Sequence, residues 1–402
     1  MDSVIREVLR NARESPMRAM LALAGEPGMI SLAGGHPDPN LLPRDWLVEM
    51  AHAELDKLAR KDLQYGPTDG LPSLRESVCT LLAERHIEAN PNDIAITTGS
   101  QQGMSLLVQA ILEPGDVVAM APFNFPASMQ AVRYAGGQVL ALRGDGVGLG
   151  ELASSAHRPI KAVYVVPSFS NPTAHVMSLE DRVRMLEEAV RHNILVLEDD
   201  PYGELWFDQP PPDSLYALNH AKQIGATVVY LTSFSKTVMP ALRLGALVGP
   251  PAIRRAVVLA KQAGDVHTGL LEQRFLDAML RSGRFASHLQ TIRAAYKAKA
   301  HAMIETLNEC AREMLSFAVP GGGMFVWGTL RGPAQRLAAL DWFAFGRTYR
   351  VLVVPGHAMS ADGNGMNNVR LCFSNPPIAD IREGVKRLVA GLTAESRRAL
   401  SA

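Results

Sequence analysis

Short apolar segments alternate with longer segments of helical periodicity through the first two thirds of the chain. The apolar segments predict strands at residues 94–97, 117–121, 163–166, 194–198, 228–232 and 245–248. The periodic segments predict helices at residues 45–60, 72–86, 100–112, 126–136 and 179–192. Apolar strands separated by helices are typical of a mostly parallel sheet that is covered by helices on both faces. The last two strands are too close in sequence for a helical crossover, so we expect the final one to be an antiparallel edge strand.

The pattern changes after about residue 250. Long helical segments at 251–262 and 271–312 precede apolar strand segments at 317–319, 324–327, 351–354 and 369–373 and a final helix. We interpret this as a smaller α+β domain, joined to the large α/β domain by a long helix. A short amphipathic helix is also predicted at residues 3–9. The predicted division is therefore an N-terminal arm with part of the small domain (1–45), a large domain (46–285) and a small C-terminal domain (286–402).

Composition and charge narrow the possible functions. The 402 residues are 47% hydrophobic, and 40 Lys and Arg balance 40 Asp and Glu. This balance gives no electrostatic case for a nucleic acid or an anionic membrane as partner. No apolar run approaches the roughly 20 residues of a membrane helix, and the N-terminus lacks the pattern of a signal peptide. The three cysteines show no metal-like spacing, so we expect a cytoplasmic protein without a bound metal.

The segment that follows strand 228–232 carries the most specific chemistry. It reads Ser-Phe-Ser-Lys-Thr, which places Ser233, Ser235 and Lys236 together, and Arg243 comes shortly after. A loop that follows a parallel strand lies at the carboxyl edge of the sheet, where ligands bind. Ser and Arg can hydrogen-bond a phosphate, and a desolvated Lys can form an imine with an aldehyde. The segment therefore suits a phosphorylated carbonyl cofactor, and an ordinary basic turn is the alternative.

Three other predicted strands end in polar loops. Asp199 could keep a pyridine nitrogen protonated, and Tyr202 could donate a hydrogen bond to a ring oxygen. Asn171 could hydrogen-bond a phenolate, and Ser100 begins a helix, where anions bind readily. Taken singly, each has an alternative as a cap or a turn. Taken together, these loops and the Lys236 loop converge on one edge of one sheet.

These motifs resemble those of the fold-type-I aminotransferases of class I/II, which depend on pyridoxal phosphate (PLP). The chain is most similar to the branch that holds aminoadipate- and kynurenine-type aminotransferases and the aminotransferase-like domain of GntR-type regulators. Ser-Phe-Ser-Lys, Glu-Asp-Asp-Pro-Tyr-Gly-Glu-Leu, Ser-Asn-Pro-Thr and Gln-Tyr-Gly-Pro-Thr-Asp-Gly carry the resemblance, which runs nearly end to end. It implies the PLP-dependent transferase fold of type I, PLP as cofactor, and ping-pong transfer of an amino group between an L-amino acid and a 2-oxo acid.

The resemblance also implies a role for each matching residue. The catalytic residues are Lys236 as the Schiff-base lysine and proton carrier, Asp199 at the pyridine nitrogen and Tyr202 at the phenolic oxygen. The implied cofactor-binding residues are Ser100, Gln101, Phe125, Asn171, Asp199, Tyr202, Ser233, Ser235, Lys236, Arg243 and, from a neighbouring subunit, Tyr65. The implied substrate-binding residues are Gly35, Asn171 and Arg370, of which Arg370 takes the α-carboxylate in a bidentate pair.

Two of these assignments have structural consequences. Phe125 stands where the family usually has Tyr, so ring stacking survives but a hydroxyl contact does not. The role of Tyr65 implies a homodimer with shared active sites.

Two other functions stay open at this stage. A β-lyase or decarboxylase could use the same scaffold, although Arg370 favours transamination because it fixes the carboxylate. A regulator that senses PLP is the second alternative. Such regulators carry an N-terminal winged helix, whereas this chain begins directly with the aminotransferase arm.

Side-chain specificity is expected to depend on the arm 4–23, the loop 34–39 and the segment 264–273. In the arm, Arg13 or Arg18 could meet an acidic side chain, and surface arginines are the alternative. The apolar arm residues favour an apolar or aromatic amino donor or, alternatively, form helix core; they are Met17, Met20, Leu21 and Leu23.

Overall fold

The computed structural model describes residues 4–10, 20, 22–144 and 148–401. Its strands are β1 Ile30–Ser31, β2 Ile94–Thr97, β3 Val117–Met120, β4 Gln138–Ala141, β5 Ile160–Val165, β6 Leu195–Asp200, β7 Val228–Ser233, β8 Gly245–Val248, β9 Leu315–Phe317, β10 Phe325–Leu330, β11 Val351–Leu352, β12 Val354–Pro355 and β13 Asn368–Cys372. Its α-helices are α1 Glu7–Arg10, α2 Arg44–Leu55, α3 Pro72–Ala83, α4 Gly99–Ile111, α5 Pro126–Tyr134, α6 Leu149–Ser155, α7 Leu179–Arg191, α8 Leu215–Ala221, α9 Pro251–Gly264, α10 Leu270–Arg281, α11 Phe285–Cys310, α12 Trp342–Tyr349 and α13 Ile378–Ser401.

The main sheet has seven strands in the order β2-β8-β7-β6-β5-β3-β4. Every pair from β7 to β4 is parallel, and β8 is antiparallel to both of its neighbours. Successive side chains of a strand point to opposite faces, so Val196 and Leu197 enter different apolar clusters. Helices cover both faces, which confirms the predicted mostly parallel sheet sandwiched by helices.

The predicted place of the strand at 245–248 is wrong. Strand β8 is antiparallel, as expected, but it lies between β7 and β2, and β2 forms the edge. A short connection fixes the direction of the returning strand because it leaves no room for a crossover helix. It does not decide whether a further strand adds to the free side of β8, and here β2 does so.

The long helix predicted at 271–312 is interrupted. Helix α10 ends at Arg281 and α11 begins at Phe285. Between them Gly283 has φ +75°, a left-handed conformation that commonly ends a helix at glycine. The periodic pattern continues across this break because both helices bury one face.

The C-terminal part contains a four-stranded antiparallel sheet in the order β12-β13-β10-β9. The predicted strand at 351–354 divides into β11 and β12, and β11 pairs in parallel with β1 from the N-terminal segment. One apolar cluster joins this region to the N-terminal residues Met20, Leu23 and Leu32. The domain boundaries at 45 and 285 stay predictions. In the part of the chain that the structure describes, no helix has both the length and the apolar character needed to cross a bilayer.

Candidate active site

Three consecutive carboxylates end strand β6, and the alternation of the strand separates them. Glu198 accepts the first backbone N–H groups of α8, two bonds of 2.8 Å. Asp200 forms an ion pair with Arg85. Asp199 points to the opposite face of β6, where it meets a different set of residues. Of the three, only Asp199 is placed towards the loops that carry the predicted site.

Asp199 is buried and only half satisfied. One carboxylate oxygen, Oδ2, accepts a 2.7 Å hydrogen bond from the Tyr164 hydroxyl, which is itself within 2.9 Å of Ser128 Oγ. Its Oδ1 is buried without a partner among the described residues. Burial raises the pKa of Asp199 to about 6, against the opposing effects of hydrogen bonding from Tyr164 and from Ser100, which therefore lies beside this carboxylate. A buried hydrogen-bond acceptor without a donor is energetically unfavourable, and a protonated ring nitrogen would supply the missing donor.

Lys236 lies in the loop after β7. Its Nζ donates a 3.0 Å hydrogen bond to the carbonyl oxygen of Gly35. Burial, with a smaller contribution from the positive charges of Arg243 and Arg370, lowers the pKa of Lys236 to about 8. The uncharged fraction of the amine near neutral pH is therefore much larger than for an ordinary lysine, and the uncharged form is the nucleophile that attacks an aldehyde.

A cradle for an anion lies beside Lys236. The guanidinium of Arg243 donates to Ser235 Oγ at 3.3 Å and to the Thr98 carbonyl at 3.4 Å. Helix α4 begins at Gly99, which has φ +77°, and a Cβ there would lie 2.8 Å from Arg243 Nη2. Glycine thus lets the guanidinium approach the start of the helix, where N–H groups and Ser100 are available to a phosphate.

Arg370 is 1% exposed, and contacts with two groups fix the orientation of its guanidinium. Its Nη1 donates a 2.7 Å bond to Asn171 Oδ1, and its guanidinium carbon lies 4.4 Å from the centre of the Phe325 ring. Arg370 Nε is buried without a partner among the described residues. Tyr202 packs edge-on against the same ring, with 5.8 Å between ring centres. Burial raises the pKa of Tyr202 above its ordinary value, although the charge of Arg370 opposes this.

The remaining predicted residues differ in how close they come to this group. Ser233 Oγ accepts from the Ser235 backbone N–H at 3.3 Å, which places both hydroxyls in the Lys236 loop. Phe125 caps α5 and is 36% exposed, and Gln101 is exposed in the first turn of α4. Tyr65 is 80% exposed, and among the described residues the one aromatic ring that it contacts is that of His267. Gly35 faces Phe325, since a Cβ at Gly35 would lie 3.1 Å from that ring.

Two polar residues near the site were not singled out from the sequence, although one of them, His36, falls in the loop 34–39 that was expected to affect specificity. Tyr164 orients Asp199, but in the sequence it is one residue of an apolar strand and gives no separate signal. His36 lies in the loop that carries Gly35, and burial lowers its pKa together with the charges of Lys236 and Arg370. Its signal was a titratable side chain in the segment Gly-Gly-His-Pro.

The arm residues are only partly described. Met20 and Leu23 are buried in the apolar cluster of the C-terminal part, so they form core, the alternative given for them. Met17, Leu21, Arg13 and Arg18 lie outside the described residues.

Comparison with known proteins gives consistent matches over the whole length. The family model for aminotransferase class I and II matches residues 29–388. The 2-aminoadipate transaminase of Thermus thermophilus is 35% identical over 379 residues, which is 93% of this chain and 92% of that protein. Aromatic-amino-acid aminotransferase 1 of Thermococcus litoralis is 32% identical and covers 96% of this chain and 93% of its own.

A solved structure agrees with both the fold and the cofactor. The α-aminoadipate aminotransferase LysN of Thermus thermophilus, complexed with N-(5'-phosphopyridoxyl)-L-leucine, has a TM-score of 0.88 and 32% identity, with 98% of each chain covered. Its bound molecule is a derivative of PLP, which is the cofactor that the geometry around Asp199, Lys236 and Arg243 fits.

Proposed function

Because the chain belongs to the aminotransferases of class I and II, we propose that its amino donors are L-amino acids with apolar or aromatic side chains. The chain is a PLP-dependent transaminase that moves an amino group between an amino acid and a 2-oxo acid by a ping-pong mechanism. The donor class rests on one observation: Arg370 and Gly35 both lie against the ring of Phe325. The ring of Phe325 is fully buried, so apolar packing lies directly behind Arg370 and the loop that carries Gly35. The aromatic-amino-acid relative and the leucine adduct of LysN support the same class.

In this proposal Asp199 and Lys236 divide the chemistry. PLP, when bound, supplies an electron sink for negative charge at the substrate α-carbon. Asp199 keeps the ring nitrogen protonated, and its unpaired Oδ1 accepts the N–H. Lys236 carries the cofactor between turnovers and then moves the α-proton, for which its lowered pKa of about 8 is suited.

The other residues hold and orient. Tyr202 and Asn171 hydrogen-bond the phenolic oxygen, and Asn171 also fixes Arg370 through the 2.7 Å bond. Arg370 pairs with the substrate carboxylate and directs the Cα–H bond towards Lys236, which favours proton transfer over loss of carbon dioxide. Phe125 would stack on the pyridine ring of bound PLP. The phosphate is held by Ser100, Gln101, Ser233, Ser235 and Arg243.

We also propose that the active unit is a homodimer. Tyr65 and the apolar residues Leu270 and Leu271 line an open pocket of about 390 Å³, next to the exposed Leu63. A second copy that covers this surface would bury it and would bring Tyr65 to the phosphate of its neighbour. Light scattering of the purified protein should give about twice the mass of 43.5 kDa. A Tyr65→Phe variant should stay dimeric but bind PLP more weakly.

A donor panel tests the proposed function. The wild-type holoenzyme is mixed with single amino acids, and conversion of the cofactor to its amine form is followed by absorbance. Phenylalanine, tyrosine and leucine should convert it, and 2-oxoglutarate or pyruvate should restore it. If no donor converts the cofactor, transamination is wrong, and release of ammonia without an acceptor would indicate a lyase.

The Lys236→Ala variant tests the central residue. It should lose the imine absorbance and about 10⁴-fold in turnover, because both covalent attachment and proton transfer are removed. Lys222→Ala, which changes an exposed lysine, is the matched control and should behave as wild type. Unchanged turnover in Lys236→Ala would remove that residue from its proposed role.

A further inference from the structure

The loop that begins at Ala33 runs past both functional cations. The Ala33 carbonyl accepts a hydrogen bond from Arg370 Nη2, and the Gly35 carbonyl accepts one of 3.0 Å from Lys236. The carbonyl of His36 accepts a 2.7 Å bond from Ser374 Oγ. His36 is therefore held directly beside the place where substrate chemistry occurs.

The far end of this loop is fixed as firmly. Asn375 Nδ2 donates to the Pro37 carbonyl at 3.2 Å. The Asp38 carboxylate forms a buried ion pair with Lys299, and the Asp38 N–H bonds to Tyr296 Oη at 3.3 Å. With the backbone fixed on both sides, the imidazole of His36 has only its two side-chain torsions left to vary.

The imidazole of His36 is free to hydrogen-bond a ligand. The side chain of His36 is exposed, and within the part of the chain that the structure describes neither of its ring nitrogens has a hydrogen-bond partner. Partial desolvation lowers the pKa of His36, and the charges of Lys236 and Arg370 lower it as well. Near neutral pH the ring is thus uncharged, with one N–H donor and one acceptor, and it is also a flat apolar surface.

We propose that His36 is a specificity-determining residue that hydrogen-bonds the side-chain carboxylate of acidic substrates, either an acidic amino acid or an acidic 2-oxo acid. This inference rests on the proposed function. A ping-pong transaminase must accept two different side chains in one site. A neutral imidazole can do this, because its ring face tolerates an apolar side chain while its N–H donates to a carboxylate.

Half-reactions of the holoenzyme separate the two substrate classes. The cofactor spectrum is followed after mixing with L-glutamate or L-2-aminoadipate and, separately, with L-phenylalanine or L-leucine. His36→Leu should lower kcat/KM for the acidic donors by about 10- to 100-fold, mostly through KM, because one hydrogen bond to a charged group is lost. It should leave the apolar donors within about threefold. His36→Gln keeps an N–H donor and should recover part of the loss.

His301→Gln is the matched control, since His301 is exposed on α11, and it should leave both classes unchanged. If His36→Leu lowers both classes equally, or if the wild type converts no acidic donor and accepts no acidic 2-oxo acid, the assignment of His36 is overturned while transamination stands. If no donor of either class converts the wild-type cofactor, the proposed function itself fails.

Discussion

Two polar clusters, one buried and one partly buried, lie on opposite sides of strand β6 and differ in how many of their buried polar atoms have hydrogen-bond partners. The site cluster comprises Asp199, Tyr164, Tyr202, Asn171 and Arg370. The support cluster comprises Arg85, Asp200, Glu204, Tyr230 and Arg293. Among the described residues, every buried side-chain nitrogen or oxygen of the support cluster has a hydrogen-bond partner. In the site cluster, Asp199 Oδ1 and Arg370 Nε are buried without a hydrogen-bond partner.

The support cluster is a closed network. Arg85 forms ion pairs with Asp200 and with Glu204, the latter at 3.0 Å, and donates to the Tyr230 hydroxyl at 2.7 Å. Arg293, from α11, reaches Glu204 Oε2 at 2.6 Å. Such a network holds the chain after β6 in place. Buried polar groups left unpaired are unfavourable, so the contrast indicates that the site cluster completes its hydrogen bonds with a ligand.

The largest expected effect is on catalysis. Asp199→Asn should reduce kcat by about 10³-fold, or about 4 kcal/mol in barrier, because an amide cannot stabilise a protonated ring nitrogen by charge. Steady-state kinetics at saturating PLP measures it, and circular dichroism checks that the fold is retained. A loss below tenfold would contradict the separation of the two clusters.

Asp200→Asn should act mainly on stability. Removing one carboxylate from a buried ion pair leaves Arg85 incompletely compensated, which should lower the free energy of unfolding by about 3 kcal/mol. Urea denaturation of the holoenzyme, compared with Asp199→Asn under the same conditions, measures it. The kcat of Asp200→Asn should stay well above that of Asp199→Asn, and the reverse order would show that the support cluster takes part in chemistry.

The pH dependence of the cofactor-free protein should distinguish the two aspartates by sign. Burial raises the pKa of Asp199 from 3.8 to about 6, so the folded protein holds this proton more tightly than the unfolded chain. Its contribution to stability is therefore lost as pH rises from about 4 to about 6, by up to about 3 kcal/mol. For Asp200 burial acts in the same direction, but Arg85 outweighs it and lowers the pKa, so its contribution is lost as pH falls.

The melting temperature of the cofactor-free protein, measured between about pH 4.5 and 7.5, tests this pH dependence of stability. Asp199→Asn should melt higher than wild type at pH 7 and should lose the difference towards pH 4.5. If the two proteins have the same melting temperature at every pH, the ionised Asp199 carboxylate does not destabilise the cofactor-free protein.

The smallest effect concerns the rim of the support cluster. The Arg293 guanidinium lies 3.9 Å from the centre of the Trp206 ring, so Arg293→Met should cost about 1 to 2 kcal/mol in unfolding free energy and leave kcat within about threefold. Arg284 lies 5.6 Å from the Trp46 ring and is more exposed, and Arg284→Met is the matched control with an expected loss of about 0.5 kcal/mol or less. Equal losses in the two variants would show that burial of Arg293 adds nothing.

Much of the main sheet could be predicted because its strands are continuously apolar. Strand β4 was not predicted, although Val139, Leu140 and Ala141 are apolar; it is a four-residue edge strand in which no residue is fully buried. The break at Gly283 also escaped prediction, because a helical period continues through it. The position of β8 depends on which strand pairs with its second side, and that is a long-range contact.

The site shows the same limit. The motif around Lys236 and the position of Asp199 after a strand predicted loops at one edge of the sheet, because parallel strands bring their following loops to one edge, and β6 and β7 are parallel neighbours. Tyr164 could not be singled out, because its importance depends on β5 lying beside β6. The roles of all the predicted site residues stay predictions, and three of them lie at the surface of the single chain, namely Tyr65, Gln101 and Phe125.

The pairing of β1 with β11 has a consequence for the order in which the protein is made. During synthesis from the N-terminus, Ala33 leaves the ribosome 337 residues before Arg370, the side chain that bonds to its carbonyl. The segment that carries Gly35 and His36 must therefore wait, without its final partners, while the seven-stranded sheet is translated. The anchor at Ala33 forms only when the last strand, β13, emerges, so an incomplete chain that stops before β13 lacks Arg370 and its bond to the Ala33 carbonyl.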